Sequence, residues 1–181
     1  GGESTDTKAE APEFHVEAKS AILIEAETGT VLYAFNEHES LPIASITKIM
    51  TMLLVMEALD SGKIKTSDIT TVSAHASQMG GSQVYLKEGE TFTVEELLKA
   101  VAVHSANDAS VALAEMIAGT EDAFVSMMNN KAAELGMKNT KFLDCTGLTD
   151  EGHYSSAYDV ALMSRELLIK HPRIIHYTTI W

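Results

Sequence analysis

The sequence has few positive charges, a single cysteine and no long apolar run. Its 181 residues include 13 Lys and Arg against 26 Asp and Glu, a net charge of −13. A surface of this sign repels a phosphate backbone, so a nucleic-acid partner is not expected. Cys145 alone excludes an intrachain disulfide and leaves the redox compartment open. Without about 18 consecutive apolar residues, no segment is expected to span a membrane.

The first 12 residues are polar and have no hydrophobic periodicity. They lack the basic and apolar regions of an uncleaved signal peptide, so we interpret 1–12 as a disordered tail left by signal cleavage or cloning. The hydrophobic content of 45% suits a protein with a buried core. Residues 13–181 are therefore long enough for one domain, or for one domain and part of a second.

Hydrophobic patterns predict mainly helices after an N-terminal hairpin. Two β-prone runs, 21–26 and 30–35, flank a turn at Gly29. Apolar residues on nearly every side of 46–59 predict a central, buried helix that ends near Gly62. Further patterns with capping residues predict helices over 93–104, 108–119, 120–136 and 156–169, with a long connection over 137–154. A two-stranded hairpin is marginal alone, so further sheet strands are expected outside this chain.

Ser45 and Lys48 form an S-x-x-K pair at the start of the predicted central helix. This spacing places both side chains on one helix face, where the amine can take the proton of the serine hydroxyl. A lysine acts as a base when desolvation lowers its pKa, and the apolar helix supplies that desolvation. Taken alone, the pair is also compatible with a simple helix cap at Ser45 and a surface lysine at Lys48.

Ser105 and Asn107 flank Ala106 in a short connection between two predicted helices. A hydroxyl and an amide held in such a loop can project into a cleft as a proton relay and a carbonyl ligand. Ordinary turn chemistry uses the same residue types, so this motif alone leaves both interpretations open.

Three segments together resemble the low-molecular-mass D-alanyl-D-alanine carboxypeptidases: ASITKIMT, AVHSANDASVALAEMIAG and VSMMNNKAAELGMKNTKFLDCTGL. These enzymes are serine penicillin-binding proteins, similar in fold to class A β-lactamases. The resemblance implies an α/β (α+β) fold with a sheet flanked by helices, of which residues 13–181 hold the N-terminal and helical part without the C-terminal strands of the sheet. It also implies Ser45 as the acylated nucleophile, Lys48 as its general base, Ser105 as proton shuttle and Asn107 as ligand of the substrate peptide carbonyl.

The K-T-G element that holds the substrate carboxylate in this family is absent from the sequence. The nearest strings are Lys65-Thr66-Ser67, which is expected in a loop, and Cys145-Thr146-Gly147, which has no cation. The resemblance implies that the K-T-G strand follows Trp181, so the chain alone is expected to be deficient in catalysis. Ala106 stands where the family commonly has glycine, a change between small residues.

The resemblance further implies removal of the terminal D-alanine from peptidoglycan stem peptides, and acylation by β-lactam antibiotics. It implies an extracytoplasmic location, with membrane attachment only through a C-terminal anchor outside this sequence. No cofactor and no metal are expected, because histidine spacing typical of metal sites is absent. His104 and His153 are expected to be solvent-facing or to support the site, and Cys145 to be a structural thiol.

Two alternatives remain open at this point. A β-lactamase would share the fold and the acylation step, but it needs a second base to release the acyl group quickly. A noncatalytic peptidoglycan-binding module would keep the fold without the chemistry, and the missing K-T-G favours it. Accumulation, rapid turnover or absence of a covalent penicillin adduct separates the three.

Overall fold

The computed structural model describes residues 43–149 and 151–178, and the fold is given for these ranges. They form seven helices and two strands. The helices are α1 (Ile43–Asp60), α2 (Ala74–Ser77), α3 (Val94–His104), α4 (Asn107–Ala118), α5 (Glu121–Glu134), α6 (Ala157–Lys170) and α7 (Ile174–Thr178). The strands are β1 (Ile69–Thr71) and β2 (Thr91–Thr93). The predicted tail at 1–12 and the predicted hairpin at 21–35 lie outside the described residues.

Helix α1 is the centre of the described fold. Residues on all its sides are buried, including Ile49, Leu53 and Met56, which are fully inaccessible to solvent. Helices α3, α4, α5 and α6 all contact it. Each large apolar side chain buried in this way contributes about 1.5–3 kcal/mol, so the prediction of a central buried helix is confirmed and α1 organises the core.

The remaining predicted helices are confirmed, each within a few residues. Thr93 and Glu96 form the predicted capping box at the start of α3. Ser156 caps α6, which ends at Lys170 shortly before Pro172. Gly136 follows the end of α5 with φ +78°, a conformation that glycine adopts without a Cβ clash.

Two strands and two short helices were not predicted. Strands β1 and β2 pair antiparallel, with Thr70 opposite Phe92. Each strand has three residues, too few for an alternating pattern to be distinguished from a loop. Helices α2 and α7 have four and five residues and are equally short for a helical period.

The connection between α3 and α4 consists of two residues. Ser105 adopts the left-handed conformation, with φ 51° and ψ 38°, and its N–H donates to the Val101 carbonyl at 2.9 Å. Ala106 is fully buried and extended, and α4 then begins at Asn107. A left-handed non-glycine residue costs of order 1 kcal/mol or more, which the surrounding packing sustains. This turn brings Asn107 towards the first half of α1.

Among the residues that the structure describes, none of the helices has the length and apolar character needed to cross a bilayer.

Replacing the cap residue of α6 tests how the helix begins. The Ser156 Oγ accepts the Asp159 N–H at 3.2 Å. We expect Ser156→Ala to lower the free energy of unfolding by about 1 kcal/mol, because one N–H of the first turn loses its acceptor. The Ser156→Asp variant keeps an acceptor and should unfold close to wild type. The thermal midpoint of the full-length protein measures both, and equal midpoints for Ala and Asp would show that the cap contributes nothing.

Candidate active site

Ser45 and Lys48 lie in the first turns of α1, three residues apart on one side of the helix. Ser45 is half-buried, whereas Lys48 is only 1% exposed and is among the largest fully buried side chains. The N-terminal end of a helix carries exposed N–H groups and the positive end of the helix dipole. The half-buried serine therefore lies one helical turn from a buried lysine, near the positive end of the helix dipole.

The Lys48 amine is held by two oxygen atoms from distant parts of the chain. Its Nζ donates to Asn107 Oδ1 at 2.6 Å and to the Thr146 carbonyl at 2.9 Å. Both oxygen atoms come from segments far along the chain, and the amine is buried between them. The geometry therefore places a buried, hydrogen-bonded amine one helical turn from a serine hydroxyl.

Asn107 joins Lys48 to the loop between α2 and β2. Its side chain is turned so that Oδ1 accepts from Lys48 while Nδ2 donates to the Gly80 carbonyl at 2.9 Å. Its backbone N–H donates to the Ser82 carbonyl at 2.7 Å. Asn107 is 4% exposed. The structure therefore brings Asn107 together with Lys48, as two of the four predicted site residues.

Ser105 lies two residues before Asn107, in the left-handed turn between α3 and α4. It is half-buried, while the neighbouring His104 is exposed. The turn holds the serine at the same end of α4 as Asn107, which contacts the α1 lysine. Its role in proton transfer stays a prediction.

The loop from Asp144 to Thr149, which we call the clamp loop, was not predicted as part of the site. The sequence of 137–154 predicted only a long connection between helices, yet its Thr146 carbonyl accepts a hydrogen bond from Lys48. The Asp144 carboxylate accepts the N–H groups of Thr146, Gly147 and Thr149 at 3.1, 2.6 and 2.9 Å. An aspartate followed by glycine three residues later is typical of such a turn and is the signal that could have indicated a defined loop.

Burial alone would raise the pKa of Asp144, but the hydrogen bonds from the Gly147 backbone, from Thr149 and from the Thr146 backbone hold that pKa below its ordinary value. The carboxylate is therefore charged at neutral pH and keeps all three N–H donors.

His153 supports the site from within the protein. Its side chain is 1% exposed, its Nδ1 donates to the Thr149 carbonyl at 3.0 Å, and its Nε2 lies 3.0 Å from Thr47 Oγ1. Because a carbonyl can only accept, Nδ1 carries a proton, and Nε2 is hydrogen-bonded to the Thr47 hydroxyl. The supporting role proposed for His153 thus has a structural basis, since Thr47 precedes Lys48.

Cys145 is buried, and its Sγ donates to Glu121 Oε2 at 3.2 Å. Burial, followed by the nearby Glu121 carboxylate, raises the pKa of the Cys145 thiol well above its ordinary value. The thiol therefore stays protonated, as expected of a structural cysteine. Within the described ranges, no group of three or more His, Cys, Asp or Glu residues could hold a metal ion.

The two strings nearest to K-T-G differ in position. Lys65 is exposed and follows the C-terminal end of α1, the opposite end of that helix from Ser45, and about 22 Å of helix separates Ser45 from Asp60. The Cys145-Thr146-Gly147 string lies at the site, but it contributes a backbone carbonyl and no cation. Neither string supplies a positive group for a substrate carboxylate.

Sequence comparison identifies relatives across almost the whole chain. The family model for D-alanyl-D-alanine carboxypeptidase matches residues 5–180. The carboxypeptidase DacF of Bacillus subtilis is 62% identical over 162 residues, 90% of this chain and 41% of that protein. The carboxypeptidase DacD of Escherichia coli is 43% identical over 171 residues, 91% of this chain and 44% of that protein. The chain thus spans less than half the length of these curated relatives.

Solved structures of penicillin-binding proteins also resemble this chain. Penicillin binding protein 6B from Escherichia coli superposes with a TM-score of 0.72 at 42% identity, covering 78% of this chain and 46% of that one. Penicillin-Binding Protein D2 from Listeria monocytogenes, in its ampicillin-bound form, superposes with a TM-score of 0.66 at 32% identity, covering 82% and 60%. These similarities confirm the predicted penicillin-binding-protein fold, and together with the sequence matches they show that the chain belongs to the D-alanyl-D-alanine carboxypeptidase family.

Proposed function

We propose that this chain carries the nucleophile of a serine D-alanyl-D-alanine carboxypeptidase, which removes the terminal D-alanine of peptidoglycan stem peptides. The observation that carries the proposal is the burial of Lys48 beside Ser45, with its amine directed to Asn107 Oδ1 and the Thr146 carbonyl. A buried lysine one turn from a half-buried serine is an arrangement in which the amine can activate the hydroxyl.

The first step forms an ester on Ser45. Its Oγ attacks the carbonyl between the two D-alanines while its proton passes to the neutral Lys48 amine. The C–N bond then breaks, and the leaving amine takes a proton delivered through Ser105. Free D-alanine departs and the shortened peptide remains on Ser45. Water then attacks the ester, and cleavage of the C–O bond releases the peptide and restores the hydroxyl.

The Asn107 Nδ2 carries two amide hydrogens and donates one of them to the Gly80 carbonyl. We assign the second hydrogen to a carbonyl of the stem peptide. Because Oδ1 is turned to Lys48, the same side chain positions the base and orients the substrate.

The terminal carboxylate of the substrate requires a cationic partner. A charge-assisted contact of this kind is stronger than a neutral hydrogen bond and gives orientation as well as affinity. The K-T-G element that would supply it is absent from the sequence. We propose that it belongs to the region of the relatives that this chain does not span.

β-Lactams are the second class of ligand that we assign to this site, because a β-lactam presents a reactive carbonyl to the same serine. The Listeria D2 protein in its ampicillin-bound form is a structural relative. A substrate in peptidoglycan places the proposed activity outside the cytoplasmic membrane, so we propose an extracytoplasmic location.

Labelling with a penicillin tests the nucleophile. In the full-length protein we expect one drug mass on the peptide that contains Ser45, measured by mass spectrometry after digestion. Ser45→Ala should abolish the adduct, with a change in unfolding free energy of no more than about 1 kcal/mol. The matched control Ser126→Ala alters an exposed serine of α5 and should label as wild type. An adduct on another residue would exclude Ser45 as the nucleophile.

Replacing the lysine tests general-base catalysis. We expect Lys48→Ala to lower the acylation rate by roughly 10²–10⁴-fold, the usual contribution of a positioned acid or base. Lys48→Arg should not restore the rate, because arginine stays protonated in proteins.

Lys131 offers a control for the loss of a buried lysine, since it is 7% exposed and pairs with Glu57 at 2.7 Å. Lys131→Met should destabilise the protein but leave the acylation rate per folded molecule unchanged. Stopped-flow acylation by a fluorescent penicillin measures all three variants. A Lys48→Arg variant that is acylated at the wild-type rate would show that Lys48 acts through its charge and not as a base.

The fate of the penicillin adduct separates the remaining alternatives. A carboxypeptidase accumulates the adduct, because the ester formed from a β-lactam is released slowly. Rapid hydrolysis with free product would indicate a β-lactamase. A full-length protein that forms no adduct at all would indicate a noncatalytic peptidoglycan-binding module.

A further inference from the structure

The clamp loop lies directly against the backbone at the start of α1. Gly147 has φ +83°, and a Cβ built on it would sit 2.7 Å from the Ala44 nitrogen and closer still to the Ala44 Cα. Ordinary contact begins at 3.4 Å, so no side chain fits between the loop and the helix. Ala44 immediately precedes Ser45. The two backbones therefore meet at the turn that carries the proposed nucleophile.

The same loop forms two further hydrogen bonds with α1. Thr51 Oγ1 donates to the Cys145 carbonyl at 2.9 Å, and the Thr146 carbonyl accepts from Lys48 Nζ at 2.9 Å. Just beyond the loop, His153 Nε2 lies 3.0 Å from Thr47 Oγ1. The loop therefore contacts the helix before, at and after the lysine, and a movement of either backbone changes the distance from Lys48 to its carbonyl partner.

Asp144 defines the shape of the clamp loop. Its side chain is 14% exposed. Its carboxylate accepts three hydrogen bonds, from the N–H groups of Thr146, Gly147 and Thr149, so the loop folds around it. A charged acceptor gives stronger hydrogen bonds than a neutral one. The direction of the Thr146 carbonyl, which must point at Lys48, is therefore set by a carboxylate two residues earlier.

We propose that Gly147 is a positioning residue for acylation: its missing side chain lets the Asp144-centred loop lie against the first turn of α1 and hold the Lys48 amine in register with Ser45. This inference rests on the proposed acyl-transfer function. Neither Gly147 nor Asp144 touches the reacting atoms, so both act through Ser45 and Lys48. A displacement on the order of 1 Å at such a site is enough to cost about 100-fold in rate.

Two glycine-to-alanine variants of the full-length protein separate this role from backbone strain. Gly147 and Gly136 have φ of +83° and +78°, but a Cβ at Gly136 meets nothing within 4 Å. Both alanine variants thus pay a similar conformational cost, and both should lower the thermal midpoint. Only Gly147→Ala should slow acylation by a fluorescent penicillin, by about 100-fold.

The kinetic readout is the rate constant of acylation at saturating penicillin, normalised to folded protein by circular dichroism. Misalignment of Ser45 and Lys48 lowers this rate constant, while the penicillin concentration at half-saturation stays within a few-fold of wild type. Equal acylation rate constants for Gly147→Ala and Gly136→Ala would overturn the inference. A wild-type protein that forms no adduct would instead overturn the proposed function on which it rests.

A second pair of variants decides the matter should Gly147→Ala not fold. Asp144→Asn preserves size but keeps only one neutral oxygen as acceptor and replaces the other oxygen by an amide NH2 donor. We expect about a tenfold slower acylation. Asp122→Asn alters an exposed aspartate in the first turn of α5 and should acylate as wild type. Wild-type acylation by a folded Asp144→Asn variant would show that the loop does not align the site.

Discussion

The Lys48 amine lies inside the protein, and much of the described structure serves to hold it there. Taking a polar group out of water costs free energy unless hydrogen-bond partners replace the lost hydration. The two acceptors come from residues 59 and 98 positions further along the chain, namely Asn107 and Thr146. The start of α4 and the clamp loop must therefore both converge on the first half of α1 for the lysine to be buried at all.

Two aspartates, the half-buried Asp144 and the buried Asp108, shape the segments that surround this lysine. Asp144 gathers the N–H groups of the clamp loop and thereby aims the Thr146 carbonyl. Asp108, which is fully buried at the start of α4, accepts the N–H groups of Val84 and Leu86 at 3.2 and 2.9 Å. It fixes the loop whose Gly80 carbonyl orients Asn107. Each acceptor of Lys48 thus depends on a carboxylate that organises a loop without touching the lysine.

Family membership and local geometry support different parts of the functional proposal. The match over residues 5–180 establishes the family, while the chain spans 41% of the Bacillus subtilis relative. The geometry contributes the placement of a buried amine near a half-buried serine at a positive helix end. The close approach of Gly147 to the Ala44 backbone leaves no room for a side chain between α1 and the clamp loop.

The sequence by itself determined the long helices and the position of Ser45 and Lys48 on one side of α1, because both follow from periodicity within one helix. Apolar residues on all sides of α1 indicated a buried helix, and the Thr93 and Glu96 spacing located the start of α3. Strands β1 and β2 were missed because three residues carry no readable alternation.

Only the tertiary structure decided what holds the lysine. The Thr146 contribution is a backbone carbonyl, and every residue has one, so residue identity gives no signal for it. The Gly147 contact likewise depends on how closely two backbones approach, which local propensity does not encode. Contacts between segments about 100 positions apart form only when the whole core packs around α1.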